Sequence, residues 1–166
     1  APDCHIIVES GLMDCSPVEV PRSVGDLRFM AHCGTIWPNV RFVGFEINEY
    51  LHKENRLIAF IGGAQIDPYG NVNSTSIGDY HHPKTRFTGS GGANGIATYS
   101  NTIIMMQHEK RRFMDKIDYV TSPGWIDGPG GRERLGLPGE VGPQMVVTDR
   151  GILKFDEKTK RMYLAG

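Results

Sequence analysis

Glu9 stands where the apolar run Ile6-Ile7-Val8 meets Ser10-Gly11. A carboxylate at the end of a buried strand, beside a glycine that admits another backbone or a ligand, has the placement of a nucleophile or a general base. The competing reading is a solvated loop glutamate. The second stretch able to do chemistry is Thr88-Gly89-Ser90-Gly91-Gly92-Ala93-Asn94-Gly95. Its glycines uncover backbone N–H groups, and Ile96-Ala97-Thr98-Tyr99 follows as the opening of a helix. Such a segment binds phosphate, carboxylate or a developing oxyanion without a cationic side chain. A structural turn is the other explanation of so dense a cluster.

Other chemistries fit less well. Gly89-x-Gly91 before a helix, with Glu109 about 20 residues on, approaches a dinucleotide fingerprint. The third glycine would fall on Asn94, however, and Arg86-Phe87-Thr88 makes a poor buried strand. The six histidines have no metal-ligand spacing, and His32-Cys33 and His81-His82 are neighbours that do not chelate one ion from a single face, so no metal site is expected. Ser10 and Ser16 lack a GxSxG elbow. Asp127-Gly128-Pro129-Gly130-Gly131-Arg132-Glu133-Arg134 reads as a solvated loop, or as a mobile one that touches phosphate or a partner.

The elements that must position these groups are mostly strands. Ile6–Val8 predicts a buried strand, parallel because its apolar residues are continuous rather than alternating. Val40–Phe45 predicts a second strand, residues 48–55 a short helix, and Leu57–Ile61 a third buried strand ending at Gly62-Gly63. Asp67-Pro68-Tyr69-Gly70-Asn71 is a turn, with Pro presetting φ and Gly and Asn tolerating positive φ. Thr102–Gln107 is another strand, followed by Lys110–Arg112 and Ile117–Val120, and residues 122–143 form a long Gly/Pro-rich loop. Met145–Thr148, Ile152–Phe155 and Arg161–Leu164, separated by Asp149–Gly151 and Asp156–Lys160, have the spacing of a β-meander.

Composition narrows the class. With 166 residues, of which 39% are apolar, the chain suits one domain spanning 1–166 around one main core. Eighteen basic and nineteen acidic residues leave a charge of −1, so no global field draws it to nucleic acid or to an anionic membrane. Cys4, Cys15 and Cys33 are odd in number and form no CxxC pair, which argues against a disulfide scaffold or structural zinc and for a reducing cytoplasm. No apolar stretch approaches the ~20 residues of a membrane span. Ala1-Pro2-Asp3 runs directly into a core-like strand and Met162–Gly166 stops within another, so the chain is expected to be a fragment lacking both ends.

Val8-Glu9-Ser10-Gly11, Gly62-Gly63-Ala64-Gln65-Ile66-Asp67-Pro68-Tyr69-Gly70-Asn71 and Gly89-Ser90-Gly91-Gly92-Ala93, in that order, resemble the class I coenzyme A transferases along essentially the whole chain. The likeness is to the β subunits of bacterial two-subunit members that act on short dicarboxylates. It implies an α/β fold: an open, mostly parallel sheet flanked by helices, with the C-terminal meander added. It also implies that Glu9 is the nucleophile and that Gly89, Gly91, Gly92 and Ala93 supply an oxyanion hole and CoA-binding surface. The implied activity moves CoA between acetyl-CoA and an acid such as glutaconate or 2-hydroxyglutarate, in glutamate fermentation, through a glutamyl-CoA thioester. No cofactor is implied, because the CoA thioester is a substrate. The implied partners are an α subunit, without which the chain is inactive, and acyl-CoA and carboxylic acid substrates, in a hetero-oligomer of αβ units. Departures are mild: Ser10 replaces the Asn of some relatives, and Ala93 an aromatic. A CoA-ester or ring-opening hydrolase on the same fold, with Glu9 activating water, and a non-catalytic phosphate- or nucleotide-binding relative remain open.

Overall fold

The computed structural model describes residues 5–8, 11–23, 26–36 and 57–166. The expected strand at 40–45 and helix at 48–55 lie outside them, as do Cys4, Glu9 and Ser10. The chain divides into two compact units, residues 1–49 and 50–166.

In the first unit, β1 (Ile7–Val8), β2 (Leu12–Met13) and β3 (Thr35–Ile36) form a three-stranded sheet, and α1 (Leu27–Ala31) lies between β2 and β3 in sequence. Both pairings are antiparallel, with Val8 opposite Leu12 and Leu12 opposite Ile36. The expectation of a buried parallel strand at 6–8 is therefore corrected. A continuous apolar run reports a demand for cover but carries no information about strand direction. Here Gly11, at φ +92°, admits a reversal that returns the chain beside β1, and its N–H donates to the Val8 carbonyl at 2.9 Å. Leu12 is 1% exposed, whereas Ile7 and Val8 are half-buried and Ile6 is exposed.

The second unit is built on a five-stranded sheet. In chain order, β4 is Ile58–Gly62, the short pairs β5 (Gln65–Ile66) with β6 (Val72–Asn73) and β7 (Ser76–Ile77) with β8 (Thr85–Arg86) follow, and then come α2 (Ala93–Tyr99) and β9 (Asn101–Met105). After a 3-10 turn at Lys110–Arg112 and α3 (Gly131–Arg134), the chain ends in β10 (Pro143–Val147), β11 (Ile152–Phe155) and β12 (Met162–Leu164). The sheet order is β12-β11-β10-β9-β4. β4 and β10 flank β9 in parallel, and the meander β10-β11-β12 is antiparallel. The fold is thus α/β, with a parallel centre and the expected C-terminal meander.

Ile61, Ile66, Val72, Ala97, Ile104 and Val146 make the core, with Ile96, Phe113, Leu153 and Phe155 packed against it. Ile104 and Val146 are fully buried because β9 and β10 are interior strands. The expected burial of the whole 57–61 strand fails: Ile58 and Phe60 are 63% and 66% exposed, and Ile61 alone is fully inward. β4 is the edge of the sheet among the described residues, and the pleat sends alternate residues to opposite faces, Ile61 toward the core and Ile58 and Phe60 away from it. Among the described residues no helix is long and apolar enough to cross a membrane.

Candidate active site

Glu9 lies outside the described residues. The strand that leads toward it, β1, pairs antiparallel with β2.

The glycine segment is a tight turn between β8 and α2. Coming out of β8, the Phe87 N–H donates to the Thr75 carbonyl at 2.9 Å and the Gly89 N–H to the Ser74 carbonyl at 3.2 Å. The Ser74 hydroxyl donates back to the Gly89 carbonyl at 3.3 Å. Gly89 and Gly91 have φ of +92° and +51°, conformations that an L side chain takes only with strain. Gly92, the residue before α2, sits at φ −80° and ψ −8° in the ordinary right-handed region. Conformation therefore demands glycine at 89 and 91 and not at 92.

The turn already uses part of its hydrogen-bonding capacity. The Ala93 N–H donates to the Ser90 carbonyl at 2.9 Å and the Ser90 hydroxyl to the Gly91 carbonyl at 3.0 Å. Ala93 is therefore committed as a donor in this conformation. The backbone N–H groups of Ser90 and Gly91 meet no acceptor among the described residues.

Both ends of α2 are held from outside the helix. The Asn94 side-chain amide donates to the Thr121 carbonyl at 2.8 Å. At the other end, Arg132, 1% exposed, fills the space under the last turn. Its Nη2 donates to the carbonyls of Thr98 at 2.6 Å and Ala97 at 3.3 Å, its Nη1 to Gly124 at 3.0 Å, and its Nε to Pro138 at 2.7 Å. Burial lowers the pKa of the guanidinium to about 10, against smaller opposing pulls from Glu133 and Glu140. It stays charged at neutral pH beside the negative end of the helix. The expected solvated loop at 127–134 holds for Asp127, Pro129, Gly130, Glu133 and Arg134, which are exposed, with Arg134 ion-paired to Asp127, but it is corrected at Gly128, Gly131 and Arg132, which are buried. Nothing in the spacing of 127–134 signals that one of its two arginines turns inward.

A second polar network lies under the β7–β8 hairpin. Asn73, fully buried, donates to the Gln65 side-chain carbonyl at 2.7 Å, and the Gln65 amide donates to Asp118 at 2.9 Å. The Gly78 N–H also donates to Asp118, at 3.1 Å, and holds its carboxyl below the usual carboxylate range, helped by Gln65. In the 67–71 turn Asp67 accepts from the N–H groups of Tyr69 and Asn71 and from the Asn71 side chain, yet burial outweighs these bonds and raises its pKa.

A dinucleotide site is not built here. The strand before the glycines, β8, is a two-residue exposed antiparallel strand and not a buried parallel one, and Glu109 is engaged by Arg111 and Arg112 at 2.8 and 3.0 Å.

Compared with known proteins, the chain matches the profile of the family described as "Coenzyme A transferase" over residues 1–166. It is 96% identical over 165 residues to one of the subunits of glutaconate CoA-transferase from Acidaminococcus fermentans. It is 38% identical over 156 residues to the corresponding chain of 3-oxoadipate CoA-transferase from Pseudomonas knackmussii. These alignments cover 99% and 93% of the chain but 62% and 58% of the relatives, so the chain spans about three fifths of their length. Its structure superposes on the crystal structure of the Acidaminococcus fermentans enzyme with a TM-score of 0.93, covering 99% of this chain and 64% of that one. The decarboxylase AibA/AibB, at 19% identity and a TM-score of 0.70, shares the fold over 99% of this chain and 60% of its own.

Proposed function

Because the chain belongs to the coenzyme A transferase family, we propose that it is the greater part of the β half of an enzyme that moves CoA between acetyl-CoA and a short dicarboxylic acid such as glutaconate or 2-hydroxyglutarate. The observation that carries the reading is 96% identity over nearly the whole chain to a glutaconate CoA-transferase chain. Both compact units are read as parts of one β-subunit domain, and an α subunit completes the site. The free thiols Cys15 and Cys33 suit a reducing, cytoplasmic setting.

In this reading the Glu9 carboxylate attacks the acyl-CoA carbonyl. A tetrahedral oxyanion collapses to a mixed glutamyl anhydride and expels CoA thiolate, whose parent thiol, with a pKa of ~8.5, needs no strong general acid. The thiolate then attacks the glutamyl carbonyl and releases the first carboxylate, leaving a glutamyl-CoA thioester. The acceptor carboxylate runs the same steps in reverse. The acyl bond energy is retained throughout, so the protein's task is to exclude water, align the reactants and donate N–H groups to each oxyanion. The turn at Gly89–Ala93 is assigned that last role, with the N–H groups of Ser90 and Gly91 as donors and Gly92 leaving room for the thioester.

Trapping tests the proposal. The complete αβ enzyme, incubated with acetyl-CoA alone and digested, should yield the Glu9 peptide carrying a CoA adduct, and initial rates with both substrates should follow ping-pong kinetics. Steady release of CoA with no adduct on Glu9 would mean that the site hydrolyses CoA esters, and intersecting initial-rate plots would exclude the covalent route.

A further inference from the structure

The turn at residues 88–93 has no large side chain to hold it, because three of its positions are glycines. Hydrogen bonds grip both of its ends, and both grips lead to one residue. At the first end, Gly89 is bonded to Ser74 through a 3.2 Å and a 3.3 Å contact, long enough that its position depends on how Ser74 is held. The Ser74 N–H donates to the hydroxyl oxygen of Thr121 at 2.9 Å. Thr75, whose carbonyl receives the Phe87 N–H, shares a 2.8 Å hydrogen bond with the same hydroxyl. At the second end, the Asn94 side chain donates to the Thr121 main-chain carbonyl at 2.8 Å. Thr121 is 5% exposed, and its own N–H donates to the carbonyl of Val72, a fully buried core residue, at 2.9 Å.

We propose that Thr121 is a positioning residue for acyl transfer: its hydroxyl holds the strand side of the glycine turn, its carbonyl holds the helix side, and β6 anchors it to the core. The proposal rests on the reading of the turn as the oxyanion site. An oxyanion donor displaced by a fraction of an ångström loses much of its effect, because the developing charge is short-lived and the donor must already be in place. Hydrogen bonds that locate the turn therefore affect turnover more than ground-state binding.

Thr121→Val keeps the shape and the carbonyl and removes the hydroxyl. In the complete αβ enzyme it should lower kcat by roughly 10- to 100-fold while KM for acyl-CoA and acid stays within about twofold. Thr121→Ser, which restores the hydroxyl, should return kcat to within about threefold of wild type. Amide hydrogen exchange supplies a readout independent of activity: peptides covering 88–94 should exchange about tenfold faster in Thr121→Val, with peptides from β10 and β11 unchanged. Unchanged kcat, or unchanged exchange at 88–94, would overturn the proposal. Faster exchange everywhere, β10 and β11 included, would also overturn it, because Thr121 would then serve the whole unit. Gly91→Val, measured alongside, separates the two levels. If that variant is impaired and Thr121→Val is not, the role of Thr121 falls alone, whereas a folded, assembled Gly91→Val enzyme with wild-type kcat removes the oxyanion reading and this proposal with it.

Discussion

Arg132 donates from Nη2 to the carbonyl of Thr98 at 2.6 Å, across 34 residues of chain. The bond places a buried positive charge under the carboxyl end of the helix whose other end carries the glycine turn. The guanidinium is satisfied by the main-chain carbonyls of Ala97, Thr98, Pro123, Gly124 and Pro138. Its planar fork suits this, since it presents five donors in fixed directions to oxygens that the helix and the 122–138 segment would otherwise leave unpaired.

Arg132→Met should therefore destabilise the protein by about 3–5 kcal/mol, because it strands buried carbonyls rather than removing a matched pair. Arg132→Lys should recover only part of the loss, since one ammonium cannot span the same oxygens. Urea denaturation of both variants checks this.

Glu9→Gln should leave folding unchanged and nearly abolish CoA transfer, because the amide is a far poorer nucleophile than the carboxylate. Glu9→Asp should also be crippled, since one methylene misplaces the attacking oxygen by roughly 1 Å. Turnover assays decide the matter, on samples of the Glu9→Gln variant that mass spectrometry shows to be free of deamidation.

Gly91→Val should strongly lower the rate of acyl transfer, because a β-branched residue at φ +51° is strained and moves the N–H that the turn offers. Ser90→Ala should be mild, since among the described residues its hydroxyl serves the neighbouring Gly91 carbonyl alone. Single-turnover rates on folded, assembled enzyme test the pair; the reverse order of effects would assign the donor to the hydroxyl.

Gly124→Ala should cost about 1–3 kcal/mol or more from overpacking. An added Cβ would meet the Gly70 carbonyl carbon and oxygen and the Asn71 nitrogen, at 2.5 Å for the last, and all three are main-chain atoms with no freedom to swing away. Thermal melts of the variant against wild type measure it.

Two aspartates should tilt the acid side of the stability curve in opposite directions. Asp118, held below the usual carboxylate range chiefly by the Gly78 N–H, contributes stability that is full above its unfolded pKa and lost as pH falls through its folded one. Asp67, raised by burial, favours the fold while protonated and loses that contribution as pH rises through its folded pKa. Urea midpoints between about pH 3 and 7 should thus fall less steeply toward acid in Asp118→Asn than in wild type; an unchanged slope would contradict the assignment.

Much of the second unit was legible from neighbouring residues alone. Asp149-Arg150-Gly151 and Asp156–Lys160 between short apolar runs marked the meander, and β10, β11 and β12 fall within two residues of their expected places. Asp67-Pro68-Tyr69-Gly70-Asn71 announced its turn, in which Gly70 takes φ +74°. Three clustered glycines announced a turn into a helix, expected from Ile96 and found from Ala93, inside the cluster itself. Each of these signals is local: the residues that write the rule are the residues that obey it.

What the tertiary structure decided depends on partners remote in the chain. Strand direction at Ile6–Val8 followed from where β2 returns, and the exposure of Phe60 beside the buried Ile61 from which face of its strand the core packs on. Gly91 and Gly92 are identical letters, yet only Gly91 takes positive φ, because the turn closes through the Ser90 carbonyl. Thr121 reaches Ser74 across 47 residues and Asn94 across 27, and an isolated threonine between Val120 and Ser122 carries no mark of either bond. Hydrogen bonds of that range exist only once the core has brought their ends together, so residue type and spacing announce the glycine turn, and the packed core determines where its N–H groups stand.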